Sequence, residues 1–380
     1  MRFCAKVASV FFFIMSRELS WRNFDFLLLG AIVLASSFGT AMIRSAVAGN
    51  EVLQPLITRQ VYFAILGVVV IFVVASIDYK YWLALYRPIY FGIIAFLITL
   101  TGFGQSAFGA QRWFTVGVLF LQPTEFAKIV AIIVLARYFD KAQYQPKDLR
   151  WAFGGFLWAF GLIIWILLQP NLSNVIVLAV IFFAMLWING LEVKQVVILG
   201  LSAIGLGVLA FPFLEPYQQG RIITFLFPNP NETYGNRFNI EQALIAIGSG
   251  GLFGQGYGHG TQTQLRFLKV RHTDFIFAAS SEEFGLIGAM LIILTLAFIV
   301  WRCIRAAQKA SDVAGSMLAF GVAILIFFQG AVNIAMNLSV VPVSGLPLPF
   351  ISYGGSGLTA LMLGIGLVES VVMRQKQLEF

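Results

Sequence analysis

The sequence predicts an all-α polytopic membrane protein with about ten transmembrane helices and a long extracytoplasmic loop between the seventh and the eighth. Composition is the first observation: of 380 residues, 59% are hydrophobic, 15% are aromatic and only 11% are charged. A soluble domain needs much more polar surface, so most of this chain must face lipid. The second observation is a series of apolar runs close to the roughly 20 residues with which a helix crosses about 30 Å of hydrocarbon.

Ten such runs follow one another, with one long connection at 215–280. In chain order they are residues 24–43, 61–77, 88–100, 123–138, 151–168, 172–188, 196–213, 281–301, 314–337 and 350–373. We therefore divide the chain into a cytoplasmic N-terminal stub (1–23), a ten-helix domain (24–373) and a cytoplasmic tail (374–380).

Charge predicts the orientation. Lys and Arg total 25 against 17 Asp and Glu, a net charge of +8. Most of these cations lie in the short loops and ends on the side of the N terminus, whereas only Arg44, Arg59 and Arg112 lie in short loops of the other side. The positive-inside rule thus puts both termini in the cytoplasm. The excess charge favours contact with anionic lipid headgroups, and no basic-aromatic module indicates a nucleic-acid partner.

Cysteine and histidine usage excludes two classes of protein. Cys4 and Cys303 are the chain's two cysteines, and its two histidines lack the spacing of a zinc motif. The sequence therefore predicts neither a disulfide framework nor a Cys/His metal site.

The segment from Lys269 to Phe277 is the most informative, because it places Asp274 among cations directly before an apolar run. A carboxylate at this boundary can take a proton from a substrate anchored in the bilayer. The alternative is that Asp274 caps the next helix, a common role for a loop aspartate.

A second candidate opens the fourth run. Pro123 fixes the first turn of that helix, and Glu125 and Lys128, three residues apart, share one face. An unpaired lysine deep in a bilayer costs about 2.5–3.5 kcal/mol, so we expect a polar cavity open to the outer leaflet. The alternative is a snorkelling lysine that Glu125 alone neutralises.

A third candidate is a set of arginines in the outer loops. Arg112 precedes Trp113 and offers a bidentate fork to a phosphate, and Arg59 and Arg221 would enlarge the site to suit a diphosphate. The alternative for Arg112 and Trp113 is a simple anchor in the interfacial aromatic belt.

Three further segments have structural interpretations. The stiff loop 341–357 predicts a rigid turn that shapes a cavity, through Pro347, Pro349, Ser352, Gly354, Gly355 and Ser356. The glycine-dense run 248–260 fits no phosphate-binding motif and predicts a flexible or tightly turned loop that packs on the outer face. Ser280 and Glu283 form a capping-box pattern for the eighth span, so the presence of Glu282 and Glu283 is explained by structure.

Four of these motifs together resemble the SEDS family of bacterial cell-wall polymerases, over about 25–373. The motifs are the segments 109–113, 122–128, 272–277 with Glu282 and Glu283, and 347–356. Segments 239–242, 246–254 and 260–262 are more similar to the elongation branch of the family than to its division branch.

The resemblance implies a peptidoglycan glycosyltransferase that joins lipid II units outside the plasma (inner) membrane. It implies Asp274 as general base, with His272 and Thr273 in the substrate-binding set beside the residues above. It also implies a class B penicillin-binding protein, a transpeptidase, as partner. No cofactor is predicted with certainty; a divalent cation, Mg²⁺ or Mn²⁺, between the diphosphate and Glu125 or Asp274 is left open. Two other functions are a lipid II flippase and a non-catalytic scaffold of the synthase.

Overall fold

The computed structural model describes residues 21–103, 105–107, 110–116, 119–144, 149–227 and 236–375, with side chains except those of 101–120, 149 and 236. This part of the chain forms fourteen α-helices and three short strands. In chain order they are α1 (Phe26–Ala46), α2 (Pro55–Ser76), α3 (Tyr79–Ala84), α4 (Tyr86–Phe103), β1 (Gln105–Ala107), β2 (Ala110–Val116), β3 (Leu119–Leu121), α5 (Pro123–Lys141), α6 (Leu149–Leu167), α7 (Leu172–Ile188), α8 (Val193–Ala210), α9 (Pro216–Leu226), α10 (Asn236–Ser249), α11 (Thr261–Gln264), α12 (Ile276–Gln308), α13 (Val313–Asn337) and α14 (Gly355–Val372).

The predicted helical membrane architecture is confirmed. Each of the ten predicted apolar runs coincides largely with one helix: α1, α2, α4, α5, α6, α7, α8, α12, α13 and α14. Within the described residues, seven helices are long and apolar enough to cross a membrane, and α4 and α7 are shorter apolar helices. The remaining one, α5, carries charged residues at both ends. The number of ten crossings therefore stays a prediction.

Two connections differ from the expected loops. The sequence predicts only an outer loop between the third and fourth apolar runs. Instead, β1, β2 and β3 form an antiparallel three-stranded sheet in that order. The aromatic and β-branched residues of 113–121 favour such strands. The long connection 215–280 contains three helices, α9, α10 and α11.

Helix α12 begins at Ile276, five residues before the predicted start at 281. It bends at Gly285, whose φ of 65° and ψ of −162° are not helical. The glycine-dense run packs against this bend: the N–H groups of Gln255 and Gly256 donate to the carbonyls of Glu282 and Glu283, both at 3.0 Å. The run is therefore a tightly packed turn, as predicted, and its partner is the bend of α12.

Among the seven helices long and apolar enough to cross a membrane, α14 and α13 are the most buried. Within the apolar window of each, 72% of α14 and 61% of α13 is buried, against none of α8. Both helices adjoin the loop 338–354, which connects them and which carries the proline and glycine residues noted above. The candidate site lies against this loop.

Candidate functional site

Asp274 lies in a tight turn directly before α12. Val270 adopts a positive φ of 51°, and its carbonyl accepts hydrogen bonds from the N–H groups of Thr273 (3.1 Å) and Phe275 (3.4 Å). Arg271 is buried, and its Nε donates to the carbonyl of Ala46 at 2.5 Å. One of the cations that precede Asp274 thus anchors the turn to α1.

Two asparagines of α13 fix the backbone of Asp274. The side-chain amides of Asn333 and Asn337 both donate to the Asp274 carbonyl at 3.1 Å. The Asn337 Oδ1 atom also accepts from the N–H of Ala278 at 3.1 Å, so it satisfies one of the free donors of the first turn of α12.

The capping alternative for Asp274 is therefore wrong. The N-cap residue of α12 is Phe275, which has no side-chain capping bond, and the capping acceptor comes from α13. The capping box at Ser280 is also wrong, because Ser280 lies inside the helix. The Asp274 carboxylate is left available for another role.

The proline-rich loop holds the turn from the other side. The Ser352 hydroxyl donates to the Thr273 carbonyl at 2.7 Å and accepts from the N–H of Leu348 at 2.8 Å. The N–H of Tyr353 donates to the His272 carbonyl at 3.0 Å. These two bonds hold the backbone of the two residues that precede Asp274.

Arg221 of α9 is the charged residue that acts electrostatically on the Asp274 carboxylate. A methyl group added to Gly345 would lie 3.6 Å from Arg221 Nη1 and 3.8 Å from Asp274 Oδ2, so both charged groups border the same space. Arg221 Nη1 also donates to the Val343 carbonyl at 3.3 Å. No ion pair within 4.0 Å joins these two described side chains.

Burial raises the pKa of Asp274 from 3.8 to about 6, while Arg221 and the hydrogen bond with Thr273 oppose the rise. This value leaves the carboxylate mainly ionised at neutral pH, yet basic enough to bind a proton. Burial, with Arg271 nearby, lowers the pKa of His272, which favours its neutral imidazole.

Arg59 of α2 contacts the loop 338–354 through Tyr353. It forms a hydrogen bond with the hydroxyl of Tyr353, whose ring lies 6.0 Å from that of His272. Arg59 also lines an open cavity of about 1020 Å³ between the α1–α2 turn and the glycine-dense run, together with Arg44 and Gln264. The backbone of Arg112 and Trp113 lies in β2, and their side chains lie outside the described residues.

Lys128 and Glu125 form the predicted ion pair, at 2.8 Å. Lys128 also donates to Asn174 Oδ1 at 3.2 Å. The lysine is 1% exposed and the glutamate 5%, so the predicted outward-open cavity at this pair is wrong. The reason is that Asn174, on α7, supplies a second acceptor inside the bundle, and the ammonium does not need water. A substrate-binding role for the pair stays a prediction.

Glu282 and Glu283 are buried next to the glycine-dense run. Glu282 accepts four hydrogen bonds at the first turn of α11, of which the shortest are from the Gln262 N–H and the Thr263 hydroxyl, both at 2.7 Å. The Ser45 hydroxyl donates to Glu283. These contacts are structural, although they differ from the predicted capping box.

The two asparagines of α13 are the residues that sequence reasoning missed. Their spacing does carry a signal: Asn333 and Asn337 lie four residues apart within an apolar run, and a polar residue in a membrane span usually has a functional or structural partner. The sequence does not reveal which group they bind, because the Asp274 carbonyl lies 59 and 63 residues earlier in the chain. Within the described residues, no three His, Cys, Asp or Glu side chains are grouped to hold a metal ion.

Comparison with known proteins identifies the family. A family model described as a cell cycle protein, of the FtsW, RodA and SpoVE group, matches residues 17–377. The chain belongs to this family. The resemblance of its motifs to the SEDS polymerases is thereby confirmed.

Curated relatives cover most of the chain. Peptidoglycan glycosyltransferase MrdB of Escherichia coli (strain K12) is 33% identical over 348 residues, which are 91% of this chain and 93% of that protein. Stage V sporulation protein E of Bacillus subtilis (strain 168) is 36% identical over 320 residues, 82% of this chain and 86% of that protein. A probable peptidoglycan glycosyltransferase FtsW of Geobacter sp. (strain M18) is 33% identical over 362 residues, 93% of this chain and 98% of that protein.

Solved structures agree with the fold. One chain, from a structure described as the coordination of polymerization and crosslinking by a peptidoglycan synthase complex, has a TM-score of 0.79 and 27% identity over 94% of this chain and all of that one. Rod shape determining protein RodA of Thermus thermophilus has a TM-score of 0.70 and 26% identity, over 94% and 99%. The RodA match agrees with the predicted elongation branch, whereas the identities to MrdB and FtsW are too similar to separate the branches.

Proposed function

We propose that this chain polymerises lipid II into glycan strands during cell elongation, with Asp274 as the general base. The enzyme class, peptidoglycan glycosyltransferase, is that of its named relatives. What is proposed is the substrate, the residue roles and the setting. One observation carries the catalytic assignment: a partly buried carboxylate with a raised pKa, on a turn whose backbone is held by hydrogen bonds, borders the same space as an arginine.

The chemistry requires one base and a set of cations. The hydroxyl oxygen of the acceptor sugar forms a bond with the anomeric carbon of the donor, as the bond from that carbon to the lipid diphosphate breaks. The hydroxyl proton passes to Asp274, whose pKa near 6 suits proton transfer near neutral pH. Arg221 borders the same space and would stabilise the charge of the departing diphosphate.

The remaining predicted residues fit a larger substrate surface. Arg59 lines the cavity of about 1020 Å³ and contacts Tyr353, beside His272, so a headgroup seated there would extend toward Asp274. A cavity of this size suits a disaccharide with its peptide better than a single sugar. Arg112, Trp113 and Thr273 keep their proposed places in the substrate-binding set.

The proposed setting follows from charge and family. Both termini lie in the cytoplasm of a bacterium, and Asp274 faces the outside of the inner membrane. A class B penicillin-binding protein is the proposed partner, supported by the similarity to a chain of a peptidoglycan synthase complex. A flippase has no need of a base at the outer surface, and a scaffold has no need of the Asp274 pocket.

The test is Asp274→Asn in the full chain, purified with its transpeptidase and assayed with lipid II on a gel that resolves glycan strands. Loss of the base lowers the rate about 10²- to 10⁴-fold. The control is Asp140→Asn, the same substitution at a carboxylate paired with Arg137 at 2.7 Å, where a surface pair is worth about 0–1 kcal/mol. A near-normal rate in the Asp274 variant would make that residue structural, and no strands from the wild type would refute the polymerase function.

The same variant has a second readout that separates catalysis from folding. Because the folded state raises the pKa of Asp274, keeping it ionised above pH 6 costs stability, about 3 kcal/mol for the rise from 3.8 to about 6. This cost disappears below about pH 3, well under the ordinary value of 3.8, where both states hold the proton. We therefore expect Asp274→Asn to melt at the same or a higher temperature than the wild type at pH 8, while its polymerase activity is lost.

A further inference from the structure

A second cavity lies at the opposite end of α12 from Asp274. Its volume is about 790 Å³, and it is formed by the start of α1, the end of α12 and the end of α14. From Leu286, directly after the bend at Gly285, to Arg302 the helix rises about 24 Å at 1.5 Å per residue, and Asp274 lies before the other end of the helix, so the cavity faces the other leaflet of the membrane. Neither Asp274 nor Lys128 borders it.

The charge of this cavity is predominantly positive. Its lining includes Arg302, Arg305 and Lys309 with one carboxylate, Asp25. Asp25 is already engaged, because it accepts from Arg302 Nε at 2.5 Å. Within the described chain no carboxylate lies within 4.0 Å of the Arg305 or Lys309 cationic groups. Two cations are thus left without an acidic partner at the mouth of a concave site.

Apolar side chains on the same rim are exposed. Phe26 is 61% exposed and Leu27 is 64% exposed, and both line the cavity. The Arg305 guanidinium lies 5.3 Å from the ring centre of Trp301, a half-exposed aromatic residue of the kind that marks a membrane interface. The site therefore presents cations toward the headgroup level and apolar surface toward the acyl chains.

We propose that this cavity binds an anionic phospholipid of the leaflet opposite Asp274, with Arg305 and Lys309 on the headgroup phosphate and Phe26 and Leu27 against an acyl chain. Basic pockets between transmembrane helices recognise such headgroups. A soluble phosphate would leave the apolar rim unused, and a zwitterionic lipid would leave the net charge uncompensated. The site joins α1, α12 and α14, so the lipid would link three helices of the bundle at that face.

The experiment measures lipid binding by native mass spectrometry on the full chain, delipidated in detergent and titrated with phosphatidylglycerol. The test variant is Arg305→Gln with Lys309→Gln. The control is Arg87→Gln with Lys194→Gln, which removes two exposed cations of the same predicted face outside the cavity. We expect about 30-fold weaker binding in the test variant, equivalent to about 2 kcal/mol for two cations near a membrane surface, and no change in the control.

Three ligand arms decide the source of the signal. Phosphatidylglycerol is compared with phosphatidylethanolamine of the same acyl chains, and with inorganic phosphate and glycerol phosphate alone. Preferential binding of phosphatidylglycerol that the test variant loses supports the proposal. Equal binding of the two lipids, equal occupancy by inorganic phosphate, or equal loss in the control variant overturns it.

Discussion

Arg221 offers a direct test of the electrostatics at Asp274. It lowers the pKa of this carboxylate, against the larger effect of burial, and the result is about 6. Replacing Arg221 by Gln removes the lowering effect and leaves the burial, so the pKa of Asp274 must rise above its wild-type value. The acid limb of the pH–rate profile reports this pKa if Asp274 acts as base.

The magnitude follows from the ionised fraction. With a pKa of about 6, roughly 91% of Asp274 is ionised at pH 7 and roughly 9% at pH 5, so the wild-type rate falls about tenfold over this interval. In Arg221→Gln the half-maximum moves to higher pH, and the variant loses more of its plateau rate at pH 6.5 than at pH 8.

The assay is the initial rate of lipid II polymerisation between pH 5 and 8.5, with each profile scaled to its own plateau. Arg221 is also a proposed contact of the diphosphate, so the plateau itself falls and only the midpoint is informative. Arg59→Gln is the matched control, because Arg59 acts on Tyr353 and is not among the groups that shift the pKa of Asp274. A wild-type rate that is flat down to pH 5, or a midpoint that Arg221→Gln leaves in place, would refute the base assignment.

Two further predictions concern buried polar contacts. Lys128→Met leaves Glu125 buried without its partner, which costs about 3–5 kcal/mol of stability, and adding Glu125→Gln restores the melting temperature. Polymerisation that stays low in this double variant supports substrate binding, whereas full activity would make the pair structural. Asn337→Ala removes the acceptor for the first turn of α12 and a donor to the Asp274 carbonyl, so we expect a stability loss of about 1–3 kcal/mol and a lower kcat. Gln329→Leu on the same helix is its control, because this buried amide has no hydrogen-bond partner among the described residues, and an equal loss in both variants would contradict the positioning role.

The helices could be predicted from the sequence because a bilayer imposes one strong requirement. Each span needs about 20 mostly apolar residues, and its backbone N–H and C=O groups must form hydrogen bonds within the helix. The apolar runs therefore locate the helices without tertiary information. Local chemistry also located Pro123 at the start of α5 and the pair of Glu125 and Lys128 one turn later. These are short-range effects, which a sequence contains in full.

The errors have a common physical origin in contacts between distant segments. The start of α12 depends on Asn337, 59 residues after Ala278, and no local capping residue could have revealed it. The burial of Lys128 depends on Asn174 of α7. The proximity of Arg221 to Asp274 depends on α9, which lies in a connection that hydropathy alone treats as a loop.

The bend at Gly285 shows how such contacts position the candidate base. In a continuous helix the N–H groups of Leu286 and Ile287 would bond the carbonyls of Glu282 and Glu283. Instead these N–H groups donate to Gly251 (2.9 Å) and Leu252 (3.2 Å), and the two carbonyls accept from the glycine-dense run. A Cβ on Gly254 would lie 2.1 Å from the Glu283 carbonyl oxygen, so this close exchange requires glycine.

Two helical bonds are thus replaced by four bonds to a packed loop, so the two N–H groups and the two carbonyls that the bend separates all keep a partner. The piece of α12 before the bend is then a short helix with its own direction, held at one end by the glycine-dense run and at the other by Asn337. Asp274 lies directly before that piece. Its position is therefore set by contacts with the glycine-dense run and with α13, and not only by the long part of α12 that follows the bend.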